Sequence, residues 1–206
     1  MNRSRSSSAW LNEHVHDAYV QKARAEGYRS RASYKLMEID DKDRLIRSGD
    51  LIVDLGAAPG GWSQVAAKRL QGKGRVIAVD LLEMEPLRGA TFLQGDFREQ
   101  EILEQLEKLL DGERLGLVLS DMAPNISGIA VCDQARAIHL AELGLDFARN
   151  WLKPDGAFLV KLFQGHGFGD FLQEMRRTFE TVSSRKPDAS RDRSPEVYLL
   201  GKTLKT

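Results

Sequence analysis

Short runs of apolar residues alternate along the chain with segments whose apolar positions recur every three or four residues. The run at 51–55 (LIVDL) is almost entirely apolar and is followed by glycine, which is typical of a strand buried on both faces. Similar runs predict strands at 75–80, 91–96, 115–121 and 157–162. Two segments between them show the helical pattern most clearly, with apolar faces formed by Ile102, Leu103, Leu106, Leu109 and Leu110, and by Ile138, Ala141, Leu145, Ala148 and Leu152.

Alternating strands and helices predict an α/β fold with a doubly wound, mostly parallel sheet. Further helices are expected over about 13–26 and from about Ser33, and 153–156 (KPDG) is expected to end a helix and turn into the next strand. The strand-like runs at 179–185 and 197–202 are joined only by a polar segment, which predicts that the last strand is antiparallel. We expect one domain over 1–206, with 1–12 as a flexible basic arm.

The composition narrows the class of protein. Of 206 residues 42% are hydrophobic, which suits a packed core, and no apolar run approaches the ~20 residues of a membrane span. The single Cys132 excludes an internal disulfide framework and a cysteine-built zinc site, and it suits the reducing cytoplasm. The four histidines lack paired ligand spacing, so no metal site is expected. Nothing in the sequence demands more than a monomer.

The net charge of zero conceals an uneven distribution. Residues 1–35 contain seven basic and three acidic side chains, and 172–206 contain eight and five, so both ends are basic and the middle is acidic. Basic ends around an acidic body form a phosphate-binding surface if the fold brings them together. Solvated termini are the alternative that charge alone leaves open.

Charged residues stand at four successive strand ends: Asp80, Asp96, Asp121 and Lys161. In an open α/β sheet the carboxyl ends of the strands form the ligand crevice. Each residue alone has a simpler interpretation as a cap or turn former, but together they predict a binding site.

The glycine loop after the first strand indicates the class of ligand. Its glycines at 56, 60 and 61 give the spacing G-x-x-x-G-G, whereas a dinucleotide loop reads G-x-G-x-x-G. Glycine permits close approach of a ligand to the backbone, and Asp80 stands where a ribose-binding carboxylate is expected. S-adenosylmethionine fits both features; a nicotinamide dehydrogenase is the disfavoured alternative.

Three separated motifs resemble those of the FtsJ-like RNA 2′-O-methyltransferases. They are 54–64 (DLGAAPGGWSQ), 120–125 (SDMAPN) and 160–165 (VKLFQG), and the likeness continues through 29–32 (RSRA) and 193–198 (RSPEVY). The resemblance covers nearly the whole chain. It implies a Rossmann-like, seven-stranded methyltransferase fold with an antiparallel last strand, and 2′-O-methylation of a uridine in large-subunit (23S) ribosomal RNA within the 50S subunit.

The resemblance also assigns residues to the site. A catalytic tetrad falls on Lys35, Asp121, Lys161 and Glu196. Cofactor contacts fall on Gly60, Trp62, Asp80, Asp96 and Asp121, to which the loop analysis adds Gly56 and Gly61. Because the basic residues near Lys35 and Glu196 must meet if the tetrad assembles, we expect RNA binding by Arg29, Arg31, Lys186, Arg191 and Arg193.

The role of Lys161 has two interpretations. As a general base it must be neutral, although a lysine has a reference pKa near 10.4; as a permanent cation it would orient the hydroxyl and stabilise negative charge. The substrate is open as well, because relatives of this family modify transfer RNA or mitochondrial ribosomal RNA. A non-catalytic ribosome-assembly factor could keep the fold, but the intact tetrad argues against it.

Overall fold

The computed structural model describes residues 17–191 and 194–205, and its centre is a seven-stranded sheet. The strands are β1 (Leu51–Leu55), β2 (Arg75–Asp80), β3 (Ala90–Gln94), β4 (Leu115–Ser120), β5 (Leu152–Phe163), β6 (Phe179–Arg185) and β7 (Glu196–Leu204). Their order is β3-β2-β1-β4-β5-β7-β6. β1 to β5 pair in parallel, and β7 is antiparallel to both β5 and β6, which confirms the predicted α/β fold with an antiparallel last strand.

Helices cover both faces of the sheet. In the described residues they are α1 (Ala18–Ala25), α2 (Ala32–Asp43), α3 (Gly61–Leu70), α4 (Gln100–Leu110), α5 (Ala130–Trp151) and α6 (Phe168–Thr178). One core cluster joins the sheet to α4, α5 and α6, and a second joins its other face to α2 and α3. β1 is buried along its whole length because its alternate side chains enter both clusters. None of these helices combines the length and apolar character of a membrane span.

The sequence locates several elements closely and misplaces others. β1, β2 and β6 have the predicted bounds, and α2 begins one residue before Ser33. The turn predicted over 153–156 is wrong: α5 does end at Trp151, but β5 begins at once, and its register against β4 shifts between Leu115 and Leu117. This irregularity accommodates Pro154, which could not sit in a regular central strand.

The N-terminal part of the described chain begins with a capped helix. Asp17 accepts hydrogen bonds from the backbone N–H groups of Tyr19 and Val20, so α1 starts at Ala18. The helix predicted over about 13–26 is therefore confirmed from Ala18 to Ala25. The predicted arm at 1–12 and His14 and His16 lie outside the described residues.

Candidate active site

The topology brings the predicted tetrad to one edge of the sheet. Asp121 follows β4, and Lys161 lies near the end of the neighbouring strand β5. Because β7 runs in the opposite direction, its first residue Glu196 pairs with Phe163, at the carboxyl end of β5. Tyr198, two residues further on, pairs directly with Lys161. An antiparallel strand thus contributes its beginning to the edge where the parallel strands end.

Lys161 is held by Asp121. Its Nζ atom lies 3.0 Å from Oδ1 of Asp121 and donates a hydrogen bond of 2.7 Å to the backbone oxygen of the same residue. The side chain of Lys161 is only 10% exposed. Its ammonium group is therefore fixed at the strand end.

Glu196 is the centre of a second group. Lys35 of α2 donates hydrogen bonds of 2.7 and 2.9 Å to its two carboxylate oxygens, and the hydroxyls of Ser190 and Tyr198 donate to Oε1 at 2.9 and 3.1 Å. Burial alone would raise the pKa of Glu196, but Lys35, Ser190 and Lys161 outweigh it, so the pKa is lowered. Glu196 is therefore an ionised anchor for Lys35.

Tyr198 connects the two groups. Burial raises the pKa of its phenol well above the usual value, and the negative charges of Asp121 and Glu196 add to this effect. The Lys35 ammonium lies 5.8 Å from the centre of its ring. Tyr198, which ends the 193–198 motif but received no role from it, is thus a buried, neutral neighbour of Glu196 and Lys35 on the strand beside Lys161.

The glycines of the loop after β1 lie directly against other segments of the chain. A Cβ atom on Gly56 would lie 2.7 Å from the backbone nitrogen of Met122, and one on Gly60 would lie 2.8 Å from Nη1 of Arg29. A Cβ atom on Gly61 would collide with the hydroxyl of Ser30. The space beside these α-carbons is filled by the protein itself. The glycines allow close packing of chain segments around the crevice.

The side chain of Trp62, a predicted cofactor contact, is buried in the core. It is 2% exposed, donates a hydrogen bond of 2.9 Å from Nε1 to the carbonyl oxygen of Ala32, and packs 5.6 Å from the ring of Tyr198. The position of Trp62 in the glycine loop gave no indication of the direction in which its side chain points. Trp62 instead supports the tyrosine at the tetrad.

Asp80 and Asp96 lie at the predicted edge and already have protein partners. Asp80 accepts hydrogen bonds from the backbone N–H groups of Ala58 and Leu82, at 2.8 and 2.7 Å. Asp96 pairs with Arg98 at 2.6 Å, and hydrogen bonding to Arg98 lowers the pKa of its carboxyl group. Asp80 thereby joins the loop after β1 to the loop after β2.

Arg29 also joins the loop after β1 to the loop after β2. Its guanidinium donates to the carbonyl oxygens of Glu85 and Pro86, both at 2.7 Å, and to that of Pro59 at 3.3 Å. These three acceptors occupy much of its hydrogen-bonding capacity. Arg29 therefore links the two loops within the chain, a structural role that was not predicted beside its role in RNA binding.

The other predicted RNA-binding residues are also engaged within the chain. Arg31 is 16% exposed and is held by the carboxylate of Asp17 and the carbonyl oxygen of Ala189. Lys186 donates to the carbonyl oxygens of Ser194 and Glu196, both at 2.7 Å. Arg191, 35% exposed and 3.6 Å from Asp17, keeps more of its surface in solvent, and Arg193 lies outside the described residues. The two basic ends do meet, and Arg31 uses its donors to join them, whereas Lys186 uses its donors within the C-terminal end.

Comparison with known proteins identifies the family. The sequence model of the FtsJ-like methyltransferases matches residues 28–204. The chain belongs to the FtsJ-like methyltransferase family. It is therefore an enzyme, and the dehydrogenase and assembly-factor alternatives are discarded.

Individual relatives of this FtsJ-like methyltransferase agree with the assignment. It is 64% identical over 205 residues to the Ribosomal RNA large subunit methyltransferase E of Dechloromonas aromatica, with 100% of each chain covered. It is 63% identical over 201 residues to the protein of the same name from Methylobacillus flagellatus, covering 98% of this chain and 97% of that one. A provisionally named ribosomal RNA methyltransferase from Plasmodium falciparum has a crystal structure that is 27% identical, with a TM-score of 0.77 over 86% of this chain and 98% of that one.

Asp54 is a further residue of the site, one that the strand ends and motif roles do not predict. It lies in β1, fully buried, with one oxygen accepting a 2.6 Å hydrogen bond from Ser63 and Oδ1 without a hydrogen-bond partner among the described residues. Burial, together with the charges of Asp121 and Asp80, raises its pKa to about 7 against the opposing effect of the Ser63 hydrogen bonds. A charged residue within an apolar run was the signal that could have found it.

The acidic edge of the FtsJ-like methyltransferase suits a cationic methyl donor. Asp54, Asp80 and Asp121 repel one another electrostatically, and Oδ1 of Asp54 is a buried acceptor in need of a donor. A ligand that carries positive charge relieves both conditions. S-adenosylmethionine has a sulfonium and an ammonium group, so the chemistry of these residues fits the cofactor predicted from the sequence.

Proposed function

We propose that this FtsJ-like methyltransferase transfers a methyl group from S-adenosylmethionine to the 2′-hydroxyl of a uridine in large-subunit ribosomal RNA, with the assembled 50S subunit as its substrate and the cytoplasm as its location. The observation that carries the proposal is the fixed pair Lys161–Asp121 beside the pair Lys35–Glu196 at the ligand edge of the sheet. The names of the 64% and 63% identical relatives support ribosomal RNA as the substrate.

The cofactor would be held by the strand ends of β1 to β4. Backbone groups of Gly56, Gly60, Gly61 and Trp62 would contact it, together with the carboxylates of Asp80, Asp96 and Asp121. When bound, S-adenosylmethionine supplies an electrophilic methyl group on a positively charged sulfur. The protein's own contribution is alignment of the 2′-oxygen and control of its proton.

Lys161 is the residue in position to act on that hydroxyl. As a neutral amine it would take the 2′-proton as the oxygen becomes methylated; as an ammonium it would orient the oxygen and stabilise its developing charge, with the proton passing to solvent. Asp121 fixes the Nζ atom in either case. Glu196 holds Lys35, which would supply a second cation beside the bound ribose.

The direct test is transfer of labelled methyl from S-adenosylmethionine to naked ribosomal RNA and to large subunits from a methylation-deficient strain. Wild type is compared with Lys161→Ala and with Lys153→Ala, a partly exposed lysine near the start of the same strand that lies 3.7 Å from Asp50. Label on a 2′-hydroxyl of subunit RNA, lost only in Lys161→Ala, is the expected result. Cofactor binding without label on either substrate would overturn the ribosomal proposal and direct the assay to transfer RNA.

A further inference from the structure

Three aliphatic side chains stand in solvent on the segment that follows Asp121. Ile126 is 85% exposed, Ile129 61% and Val131 73%, and we call these three residues the apolar rim. Apolar groups that are exposed together in this way commonly mark an interaction surface.

The segment that carries the apolar rim is fastened at both ends beside the catalytic lysine. At its beginning, Asp121 holds Lys161. At its end, Gln134 donates a hydrogen bond of 2.9 Å from its amide to the carbonyl oxygen of Phe163, two residues beyond Lys161. The segment that carries the rim is therefore attached at both ends to the carboxyl-terminal part of β5, where Lys161 lies.

The segment bends at residues 127–133, and this turn is fixed by hydrogen bonds to Asp133. Asp133 accepts from the backbone N–H and the hydroxyl of Ser127, at 2.8 and 2.7 Å, and from the N–H of Gly128 at 3.0 Å. Gly128 has a φ of +87°, which favours glycine. The rim residues are thus presented by an ordered backbone.

The charge of this segment restricts the kind of ligand. From 122 to 135 the one charged side chain is Asp133, which is engaged in the turn, and the next cation is Arg136 of α5, whose charge acts on Asp133. The three rim residues themselves therefore offer no cation to a phosphate. The flat faces of unpaired nucleobases are the part of an RNA that an aliphatic surface can cover, and sequence-specific RNA recognition targets such unpaired bases. A cationic surface elsewhere would have to bind the backbone.

We propose that the apolar rim of Ile126, Ile129 and Val131 binds the unpaired bases of the RNA next to the methylated nucleotide. This proposal rests on the proposed function, since it deepens the recognition of the same substrate. It predicts that the rim contributes base-dependent affinity and no phosphate contact.

The experiment measures binding without methyl transfer. A fluorescent single-stranded oligouridine of about 12 nucleotides, a length within the range of single-strand binding sites, is compared with a matched strand of abasic riboses. Wild type should bind the base-bearing strand about tenfold more tightly. Ile126→Ser/Ile129→Ser should lose this preference and keep the salt dependence, because no ion pair is removed.

Two matched variants complete the test. Ile126→Leu/Ile129→Leu should retain the base preference, and Leu81→Ser/Leu82→Ser, which alters equally exposed apolar residues after β2, should leave it unchanged. Thermal unfolding should be similar in all of them, since the altered side chains are exposed.

The outcomes separate this proposal from the proposed function. A wild type without base preference, or a serine variant that keeps it, overturns the role of the rim whatever the methylation assay gives. If the serine variant keeps its base preference and loses methylation only of assembled subunits, the rim contacts a protein and the proposal is wrong. If the preference behaves as expected and no ribosomal RNA is methylated, the proposed function fails and the base-binding surface remains.

Discussion

The Nζ atom of Lys161 lies 3.0 Å from Oδ1 of Asp121 and 2.7 Å from the backbone oxygen of that residue. Lys161 lies in β5 and Asp121 directly follows its parallel neighbour β4, so the sheet positions the pair. A site supported by paired strands keeps its geometry better than one supported by loops. Loss of the lysine should therefore disturb the chemistry more than the fold.

Lys161→Ala should lower the rate of methyl transfer by about 100- to 10,000-fold, the range associated with loss of a positioned proton-transfer group. Cofactor affinity should change little, because Lys161 is not among the predicted cofactor contacts. Single-turnover transfer and cofactor titration measure the two quantities, with Lys153→Ala as the control. An equal loss in both lysine variants would contradict a special role for Lys161.

The pH dependence of that single-turnover rate distinguishes the two roles of Lys161. A general base must lose its proton, so the rate rises with pH until the amine is neutral. An orienting cation gives no such rise, and Lys161→Arg then retains part of the activity because arginine keeps the charge. A rise with pH together with an inactive arginine variant would establish the general base.

Glu196→Gln should lower the free energy of unfolding at neutral pH by about 1–3 kcal/mol, because it removes the negative partner of buried Lys35. The folded-state pKa of Glu196 is lowered, so its contribution is fully present above the unfolded pKa of about 4.3 and is lost as the pH falls through the folded value. Urea unfolding of both proteins from pH 3 to 8 measures the difference. A difference that stays constant below about pH 4 would contradict the assignment.

Asp54→Asn should change the pH dependence of stability in the opposite direction. The native pKa is raised to about 7, so between about pH 4 and 7 the native state holds a proton that the unfolded state has lost. The free energy of unfolding of wild type should therefore fall relative to the asparagine variant as the pH rises, by roughly 2–4 kcal/mol over that window. Parallel urea-derived stability profiles would show that Asp54 ionises normally.

Alanine variants of Arg31 and Arg191 should distinguish an arginine that stabilises the fold from one that contacts an RNA phosphate. Arg31→Ala removes the nearer of the two arginine partners of Asp17 and should lower the free energy of unfolding by about 2–4 kcal/mol, with the salt slope of RNA binding unchanged. Arg191→Ala should cost about 1 kcal/mol or less and reduce the salt slope by about one phosphate. Urea unfolding and RNA binding at several salt concentrations test both; interchanged results would restore Arg31 as an RNA ligand.

Arg29→Ala should weaken cofactor binding by about tenfold, because the loops after β1 and β2 lose their common brace. Arg29→Lys should rescue it poorly, since one ammonium cannot reproduce a planar fork that reaches three carbonyls. Arg24→Ala, on exposed surface of α1, is the matched control for lost charge. Cofactor titration measures the effect, and equal losses in the Arg24 and Arg29 variants would point to charge alone.

Strands buried on both faces are the easiest elements to predict, because local sequence decides them. β1 and β2 agree residue by residue, whereas the start of β5 depends on a bulge against β4 that no local pattern reveals. The helix α6 is absent from the predicted elements, although Phe171 and Met175, four residues apart, show the spacing of its buried face. Its local signal is short, since only one turn separates these two apolar residues.

The site shows the same division. Motifs located the tetrad residues, and the topology brings them together, but the donors to Glu196 and the bracing position of Arg29 arise from packing between distant segments. The direction of the Trp62 side chain and the ion pair between Arg31 and Asp17 likewise depend on contacts between segments that are distant in the sequence. Sequence indicated which residue types gather at the edge, and the tertiary contacts decide which of them remain accessible to a ligand.

The position of β7 has a consequence for how the enzyme is made. This strand is the last in sequence, yet it lies between β5 and β6 and begins with Glu196. A ribosome must therefore synthesise almost all of the 206 residues before Lys35 can meet its carboxylate and before β6 has a neighbour to pair with. A nascent chain that ends before Glu196 lacks both the complete tetrad and the strand that joins β5 to β6, so the tetrad and the sheet are completed together, by the synthesis of β7.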